Sequence, residues 1–445
     1  MLIRVYPWFI NQIMTKKKIY KPKQISGFPE WLPEERYIEL QWLDKIRQIF
    51  ESYGYCSIET PAVEELEVIA AKGEDVDKEI YVLERLHKEE GDKDARLALH
   101  FDQTVPLARY TAQHFNDLTF PFKRYQMQKV WRGERPQMGR MREFYQCDID
   151  VINPDHLPIH FDGEVASICY EALAALDIGR VQLRISNRKI LLGYVEAKNL
   201  NGQSRSILGA IDKFEKIGQE AVANLLKEDG LDTHTIEEIL SLVTASEIKS
   251  ITPLNETMRE GIEELYFVLD QLSHLPDHAV KADLSIVRGL DYYTGTVYET
   301  QLLDVPEFSG SVCSGGRYDD LAGSYINKHL PGVGISIGFS RLFDVMRQSG
   351  KLPQGQKSPA QILVLLPNED RRGEAAKTAQ ALRTRGFKVE QYHAPQKLGK
   401  QFSYAEKKGI PYVWIPPFEE GQDHEVKNMT TGEQSKTDIE SFEIQ

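Results

Sequence analysis

Two stretches with strand character flank one short, arginine-rich loop, and this strand–loop–strand unit constrains the fold more than any other segment. The strands are expected at residues 122–131 and 142–152, and the loop between them reads RGERPQMGR. Seven basic residues and one acid, Glu134, lie between positions 123 and 142. Several planar guanidinium groups can therefore converge on one anion, and phosphate suits their geometry. A solvated hairpin face is the alternative interpretation.

The overall composition indicates a globular protein of two or three domains. The chain has 445 residues, of which 41% are hydrophobic, and its net charge is −13. This charge disfavours nonspecific binding of nucleic acid through the whole surface but allows a local basic patch. The four cysteines lack C-x-x-C spacing, which disfavours a structural zinc site and favours a reduced, cytoplasmic compartment. No apolar run approaches the roughly 20 residues that span a bilayer, so no membrane association is expected.

The first half of the chain alternates helix and strand signals. Apolar residues recur at helical spacing over 35–53, and YCSIETP then reads as a short strand ended by Pro61. Residues 80–86 and 96–101 flank the turn-rich EEGDKD and predict an antiparallel hairpin. A helix is expected around 163–176. The N-terminal segment has apolar residues before its lysines, the reverse of a signal peptide, and Met14 is an alternative start.

The second half divides into three parts. Residues 188–278 have helical periodicity throughout, which predicts a helical insertion. Strands are expected at 283–287 and 296–303, with a helix starting near Arg341. After the linker GKLPQGQKSPA, strands and helices alternate: QILVLLP, 371–385, KVEQYH, KLGKQFSYAEKKG and PYVWIP. This alternation predicts a mostly parallel α/β domain.

A set of acids and amides forms a second candidate site. Asp102 is one member, and Gln146 and Asp150 share one strand face with Asp148. Such a face is costly to bury against an apolar core, so it indicates a polar pocket for a cationic or donor-rich ligand. A solvent-facing strand edge is the alternative.

The segment GVGISIGFSR superficially suggests a dinucleotide loop. Its glycines follow G-x-G-x-x-x-G, and no ribose-binding acid follows in a βαβ context, so a nicotinamide site is disfavoured. Close helix–strand packing explains the glycines equally well. Arg341, at the start of the following helix, is a candidate phosphate ligand.

Four motifs together resemble the histidyl-tRNA synthetases, a class II aminoacyl-tRNA synthetase family. They are RGLDYYTGTVYE, SGGRYDDL, GVGISIGFSRL and RGERPQMGRMREFYQCDID, and the tail KLGKQFSYAEKKGIPYVWI resembles the family's anticodon-binding domain. The resemblance implies an α+β catalytic core built on an antiparallel sheet, with a helical insertion and a C-terminal α/β anticodon-binding domain. The block SGG stands where the family has three glycines.

The resemblance also implies ATP-dependent activation of L-histidine and its transfer to tRNA(His). Arg288 and Arg132 are then the catalytic residues at the α-phosphate. The implied ATP ligands are Arg132, Arg140, Phe144, Arg288 and Arg341, with Mg²⁺ accompanying ATP as substrate and no structural metal. The implied histidine ligands are Asp102, Thr104, Gln146, Asp150, Tyr292, Tyr293 and Gly316. The implied tRNA contacts are Arg135, Gln137, Lys397, Lys400 and Gln401.

The resemblance further implies a homodimer, in which the helix at 35–53 forms part of the interface. We place the boundaries at 1–25 for an N-terminal extension that need not be native, 26–187 and 281–350 for the core, 188–280 for the insertion, 351–358 for the linker and 359–445 for the last domain. Two alternatives stay open: a non-catalytic paralogue that regulates histidine biosynthesis, and a nucleic-acid-binding module without catalysis.

Overall fold

The computed structural model describes residues 20–70, 79–85, 96–245, 247–287, 293–320, 322–323, 325–417, 419 and 421–444. The strands are β1 (Cys56–Ser57), β2 (Val63–Glu65), β3 (Val82–Leu83), β4 (Leu97–Leu99), β5 (Phe122–Trp131), β6 (Glu143–Ile152), β7 (Val181–Asn187), β8 (Val280–Ala282), β9 (Thr296–Leu302), β10 (Cys313–Tyr318), β11 (Gly332–Ile337), β12 (Ile362–Val364), β13 (Val389–Gln391), β14 (Tyr412–Ile415), β15 (His424–Asn428) and β16 (Gln434–Thr437).

The helices alternate with these strands or cluster in the middle of the chain. They are α1 (Pro33–Ser52), α2 (Leu66–Ala70), α3 (Thr104–Gln113), α4 (His160–Ala174), α5 (Arg188–Ala197), α6 (Ser204–Ile211), α7 (Phe214–Glu228), α8 (Thr233–Val243), α9 (Glu256–Gln271), α10 (Phe339–Gln348), α11 (Arg372–Thr384) and α12 (Leu398–Lys408). No helix among the described residues combines the length and apolar character needed to cross a membrane.

The main sheet contains eight strands among the described residues, in the order β1-β5-β6-β11-β10-β9-β7-β8. Its pairings are antiparallel except at the two edges, where β1 runs parallel to β5 and β8 parallel to β7. The prediction of a core built on an antiparallel sheet is confirmed. The predicted strand–loop–strand unit is β5 and β6, which pair along ten residues each.

One face of the main sheet is apolar, and helices cover it. Alternate residues of β6, Cys147, Ile149 and Val151, are buried there with Phe50 of α1 and Val165 of α4. Helix α1 presents its buried residues at helical spacing, and Pro33 and two acids at its first turn favour helix initiation. The opposite face of the same strands is polar, and it carries the site described below.

The helices between β7 and β8 divide their packing between two clusters. Ile190 of α5 and Leu265 of α9 belong to the main core, whereas Ile207, Val222 and Ile239 belong to a separate cluster with α6, α7 and α8. The domain boundaries given above remain a prediction.

One predicted strand is wrong. Residues 283–287 form a turn, and the strand in this region is β8, which pairs with β7. Oδ1 of Asp283 accepts hydrogen bonds from the backbone N–H and the hydroxyl of Ser285, at 3.1 and 2.5 Å. Such local bonds compete with the ladder and end the strand.

The C-terminal sheet has the order β13-β12-β14-β15-β16. Strands β13, β12 and β14 are parallel, as the alternation predicts, and β15 and β16 extend the sheet as an antiparallel hairpin. Strands β3 and β4 confirm the predicted hairpin near residue 90, whose turn EEGDKD lies outside the described residues.

Candidate active site

Strand register aligns polar residues in rows across the opposite, polar face of the main sheet. Asp150 of β6 lies opposite Arg124 of β5 and Gly334 of β11. One step along, Asp148 lies opposite Gln126 and Ser336. Because directly opposed residues point to the same face, both carboxylates project together with Gln146. The prediction that residues 146, 148 and 150 share a face is confirmed.

An inner pocket opens above these rows. Its lining residues are Thr104, Asp148, Asp150, Tyr293, Ser314, Gly315, Tyr318, Gly334, Ile335 and Ser336. The hydroxyl of Tyr318 donates to Oδ1 of Asp150 at 3.0 Å. A Cβ at Gly334 would lie 2.0 Å from that same oxygen, so only glycine leaves room for the carboxylate.

Tyr293 forms another wall of the inner pocket. A Cβ at Gly316 would lie 2.7 Å from a carbon of the Tyr293 ring, so the ring packs on the bare backbone of Gly316. Burial raises the pKa of Tyr293, and the neighbouring Asp150 and Asp148 raise it further, so the phenol stays protonated and can donate a hydrogen bond. Tyr292 lies outside the described residues.

The two carboxylates of the inner pocket are buried and electrostatically coupled. Burial raises the pKa of Asp148 to about 7 and that of Asp150 to about 6, while the Arg124 cation opposes both increases. Oδ1 of Asp148 and Oε1 of Gln146 are buried without a hydrogen-bond partner among the described residues. Buried polar atoms are usually paired, so these acceptors indicate a donor-rich ligand.

Asp102 borders the site from the start of α3. Its Oδ1 accepts the backbone N–H groups of Thr104 and Val105, at 3.1 and 3.0 Å. This contact fixes the carboxylate at the helix N-terminus. Thr104 itself lines the inner pocket.

An outer cleft adjoins the inner pocket and shares Ser314 and Ser336 with it. Its lining residues are Arg132, Glu134, Gly139, Arg140, Met141, Phe144, Gln146, Ser311, Val312, Cys313, Ser314, Ser336, Gly338 and Arg341. The four predicted ATP-binding residues within the described part of the chain are therefore brought together. Arg288 lies outside the described residues.

Two arginines of the outer cleft, Arg132 and Arg341, donate hydrogen bonds to backbone carbonyls. Nε of Arg132 donates to the Phe101 carbonyl at 3.1 Å, and its guanidinium lies 5.2 Å from the centre of the Phe144 ring. Arg341 donates to the carbonyls of Gly139 and Ser311, both at 2.9 Å. The arrangement is a cationic cleft with one aromatic face.

The loop between β5 and β6 is anchored beside the cleft. The N–H of Gly139 donates to Oδ2 of Asp344 on α10 at 3.0 Å, and Gly139 has a φ of +68°. Glu134 lies near the guanidinium of Arg140, at 3.5 Å. The predicted tRNA-binding residues Arg135 and Gln137 are exposed on this loop.

The C-terminal candidates divide in two. Lys397 and Lys400 are exposed at the start of α12. Gln401 is completely buried, and its side chain bonds to both backbone groups of Leu366 at 2.9 Å. The prediction of a tRNA contact at Gln401 is therefore wrong, because this amide joins α12 to the strand region of its own domain.

The predicted site residues omitted several neighbours that the structure brings in. These are Arg124, Tyr318 and Ser336. Arg124 is one of the seven basic residues between positions 123 and 142, and Tyr318 lies in the motif SGGRYDDL. The signal that would have selected Arg124 is its register opposite Asp150, which the sequence alone does not give.

Comparison with known proteins identifies both parts of the chain. Residues 27–342 match a family model described as histidyl-tRNA synthetase, and residues 361–443 match one described as an anticodon binding domain. A catalytic sheet joined to an anticodon-binding domain defines the class, an aminoacyl-tRNA synthetase. The chain belongs to the histidyl-tRNA synthetase family.

Individual relatives agree with this assignment. A histidine–tRNA ligase of Thermobifida fusca is 51% identical over 96% of this chain and all of that protein. One from Clostridium tetani is 44% identical over 96% of this chain and 98% of that protein. The crystal structure of histidyl-tRNA synthetase from Nostoc sp. superimposes with a TM-score of 0.86 at 40% identity, covering 94% of this chain and 97% of that one.

Proposed function

We propose that this protein activates L-histidine with ATP and transfers the histidyl group to tRNA(His). In the first step a histidine carboxylate oxygen attacks the α-phosphorus, and the bond to pyrophosphate breaks. In the second step a hydroxyl of the terminal ribose attacks the carbonyl carbon, and AMP leaves. The observation that carries this proposal is the shared wall, Ser314 and Ser336, between an acidic pocket and an arginine cleft.

The inner pocket suits histidine. Asp150 and the Tyr293 phenol would pair with the two ring nitrogens, and Asp102, Thr104 and Gln146 would surround the ammonium group. A site that bonds both polar atoms of the ring rejects apolar amino acids, because they would leave buried polar groups unpaired. Gly316 supports the Tyr293 wall. Tyr292 is proposed from the family resemblance.

The outer cleft suits ATP. Arg132, with Arg288 by resemblance, would bind the α-phosphate and stabilise the charge that develops there. Arg140 and Arg341 would bind the distal phosphates, and Phe144 offers its ring to the adenine. Mg²⁺ would enter with ATP as part of the substrate.

The tRNA would contact both ends of the molecule. Arg135 and Gln137 are exposed beside the cleft and suit the acceptor end. Lys397 and Lys400 suit the anticodon loop, whose unstacked bases are accessible to side chains. We further propose a cytoplasmic homodimer in which α1 contributes to the interface.

The regulatory alternative has weaker support. A Bacillus halodurans protein described as an ATP phosphoribosyltransferase regulatory subunit/histidyl-tRNA synthetase has a TM-score of 0.72 to this chain but only 21% identity. At that identity the likeness shows the fold alone. The matched anticodon-binding domain and the assembled arginine cleft favour the ligase.

Histidine-dependent exchange of pyrophosphate into ATP tests the proposal. The wild-type protein should exchange with histidine and with no apolar amino acid. Arg132→Ala should lower the exchange rate by about 100- to 1,000-fold, because it removes a cation at the reacting phosphate. Arg372→Ala, at an exposed arginine of α11, is the matched control. Absence of histidine-dependent exchange in the wild type would refute the proposal.

A further inference from the structure

A fully buried arginine, which the proposed reaction does not use, lies next to the inner pocket. Arg124 of β5 is 0% exposed and lies on the polar face of the sheet, directly opposite Asp150 of β6. Its Nη2 lies 2.5 Å from Oδ2 of Asp150. The guanidinium therefore lies immediately beside a carboxylate that lines the pocket.

Fold stability does not account for this arginine. A guanidinium carries five donors, yet Nε, Nη1 and Nη2 of Arg124 lack a well-aligned hydrogen bond to any described residue. The Asp150 contact is thus a close charge contact and little else. Buried ion pairs with few further bonds contribute little to stability compared with an apolar replacement of both partners. A role in the pocket is the remaining explanation.

Arg124 and two neighbours fix the position of the Asp150 carboxylate. Arg124 contacts one oxygen, and the Tyr318 hydroxyl donates to the other at 3.0 Å. Gly334 confines the group from the adjacent strand, since a Cβ there would lie 2.0 Å from Oδ1. Each carboxylate oxygen can accept more than one hydrogen bond, so capacity remains for a ligand in the pocket that Asp150 lines.

Arg124 also controls the charge of Asp150. Burial raises the pKa of Asp150 to about 6, and Arg124 is the main opposing influence. A carboxyl that is protonated becomes a donor and can no longer serve only as an acceptor. The groups that face Asp150 from the surrounding elements are Arg124, Asp148, Asp102, Tyr318, Tyr293 and Tyr55. Among these, Arg124 is the one cation, and the other described groups are acids or phenols.

Building on the proposed function, we propose that Arg124 is a positioning residue for amino-acid selection. It holds Asp150 ionised and in place as the acceptor for an imidazole N–H. Arg124 itself does not touch the substrate. Without it, Asp150 stays protonated at neutral pH, and the pocket loses its acceptor for the ring.

The test is the pH dependence of the KM for histidine in pyrophosphate exchange, measured from about pH 6 to about pH 9. Arg124→Met removes the charge at similar length, and Arg124→Lys keeps a cation. The KM for ATP is measured in parallel, because a general distortion of the sheet would change both constants. Arg180→Met, at an exposed arginine paired with Asp304 away from the pocket, is the matched control.

We expect Arg124→Met to raise the KM for histidine by about 10- to 100-fold near pH 7, with the KM for ATP changed less than about threefold. The KM for histidine should recover as pH rises, because Asp150 has lost its cation and ionises only at higher pH. Arg124→Lys should restore most of the affinity, and Arg180→Met should leave the pH profile unshifted.

Other outcomes would overturn the proposal. A wild-type KM for histidine in Arg124→Met, or a KM raised equally at every pH and unchanged by lysine, would remove the role of Arg124. If Arg124→Met does not fold, Arg124→Lys becomes the deciding variant. Its shorter side chain should raise the KM for histidine about 3- to 10-fold and leave the KM for ATP unchanged. Equal changes in the two KM values would contradict the proposal. Absence of exchange in the wild type would instead refute the proposed function.

Discussion

Two buried arginine–aspartate pairs lie on opposite faces of the main sheet and differ in how their donors are used. On the covered face, Arg317 of β10 meets Asp162 of α4 with Nε 3.1 Å from Oδ1, and its other nitrogens donate to the carbonyls of Leu157 and Pro158, at 3.0 and 3.3 Å. On the polar face, Arg124 has Asp150 at 2.5 Å and no well-aligned hydrogen bond among the described residues.

This difference in donor use distinguishes an ion pair that stabilises the fold, Arg317–Asp162, from one that lies beside a ligand pocket, Arg124–Asp150. The Arg317 pair joins a helix to a strand and satisfies its donors inside the protein, so each removed bond costs stability. The Arg124 pair joins two neighbouring strands that are already paired, and its aspartate faces a pocket. Burial raises the pKa of Asp162 as well as that of Asp150, so burial alone does not distinguish the two pairs.

The largest effect on stability should follow Arg317→Met. It leaves Asp162 buried and unpaired and removes two bonds to carbonyls, so the free energy of unfolding should fall by about 3–5 kcal/mol. Urea denaturation followed by circular dichroism measures this change. A loss below about 1 kcal/mol would contradict the comparison, because the Arg317–Asp162 pair would then stabilise the fold no more than an exposed ion pair does.

A smaller and pH-dependent effect should follow Asp148→Asn. Burial raises the pKa of Asp148 to about 7, above the ordinary range of an unfolded aspartate. The wild type therefore loses stability as pH rises from about 4 to about 7, because the folded state binds more protons than the unfolded state over that window. Asparagine has no such proton, so the variant should be more stable than wild type by about 1–3 kcal/mol at pH 8 and equal to it at pH 4.

The measurement is chemical denaturation of both proteins at the two pH values. Ser206→Ala, which removes an exposed hydroxyl of α6 without changing charge, serves as the control and should show no such pH dependence. Equal differences at both pH values would mean that Asp148 is not protonated on folding.

The smallest effect should follow Arg124→Met/Asp150→Asn. Both charges disappear together, so no uncompensated charge remains, and the free energy of unfolding should stay within about 1 kcal/mol of wild type. The same double replacement at Arg317 and Asp162 should cost about 2–4 kcal/mol, because the carbonyls of Leu157 and Pro158 lose their donors. Equal costs for the two double variants would show that the pairs do not differ.

The sequence predicts the segments of the fold better than their mutual register. Strand β5 is predicted at its observed bounds because two long runs of strand character border an obvious loop. Strands β15 and β16 are not predicted, since HEVKN and QSKT carry little hydrophobic alternation at the sheet edge. Residues 283–287 are predicted as a strand because the hydrophobic pattern carries no signal of the hydrogen bonds to the Asp283 side chain that form the turn.

The candidate site shows the same limit. The arginines of the outer cleft are predictable because Arg132 and Arg140 lie in one contiguous loop and Arg341 in another motif of the same family. Arg124 and Tyr318 were missed because they become neighbours of Asp150 only when β5, β6, β11 and β10 adopt one register. Gln401 was misassigned because a buried amide on an amphipathic helix has the same sequence signal as an exposed one, and its partner Leu366 lies 35 positions away.

Helix α10 holds Gly139 from both sides, since Asp344 accepts its N–H at 3.0 Å and Arg341 donates to its carbonyl at 2.9 Å. Gly139 therefore anchors the loop between β5 and β6 to α10. One anchor on α10 thus positions both the loop that carries Arg135 and Gln137 and the Arg341 side chain that lines the outer cleft.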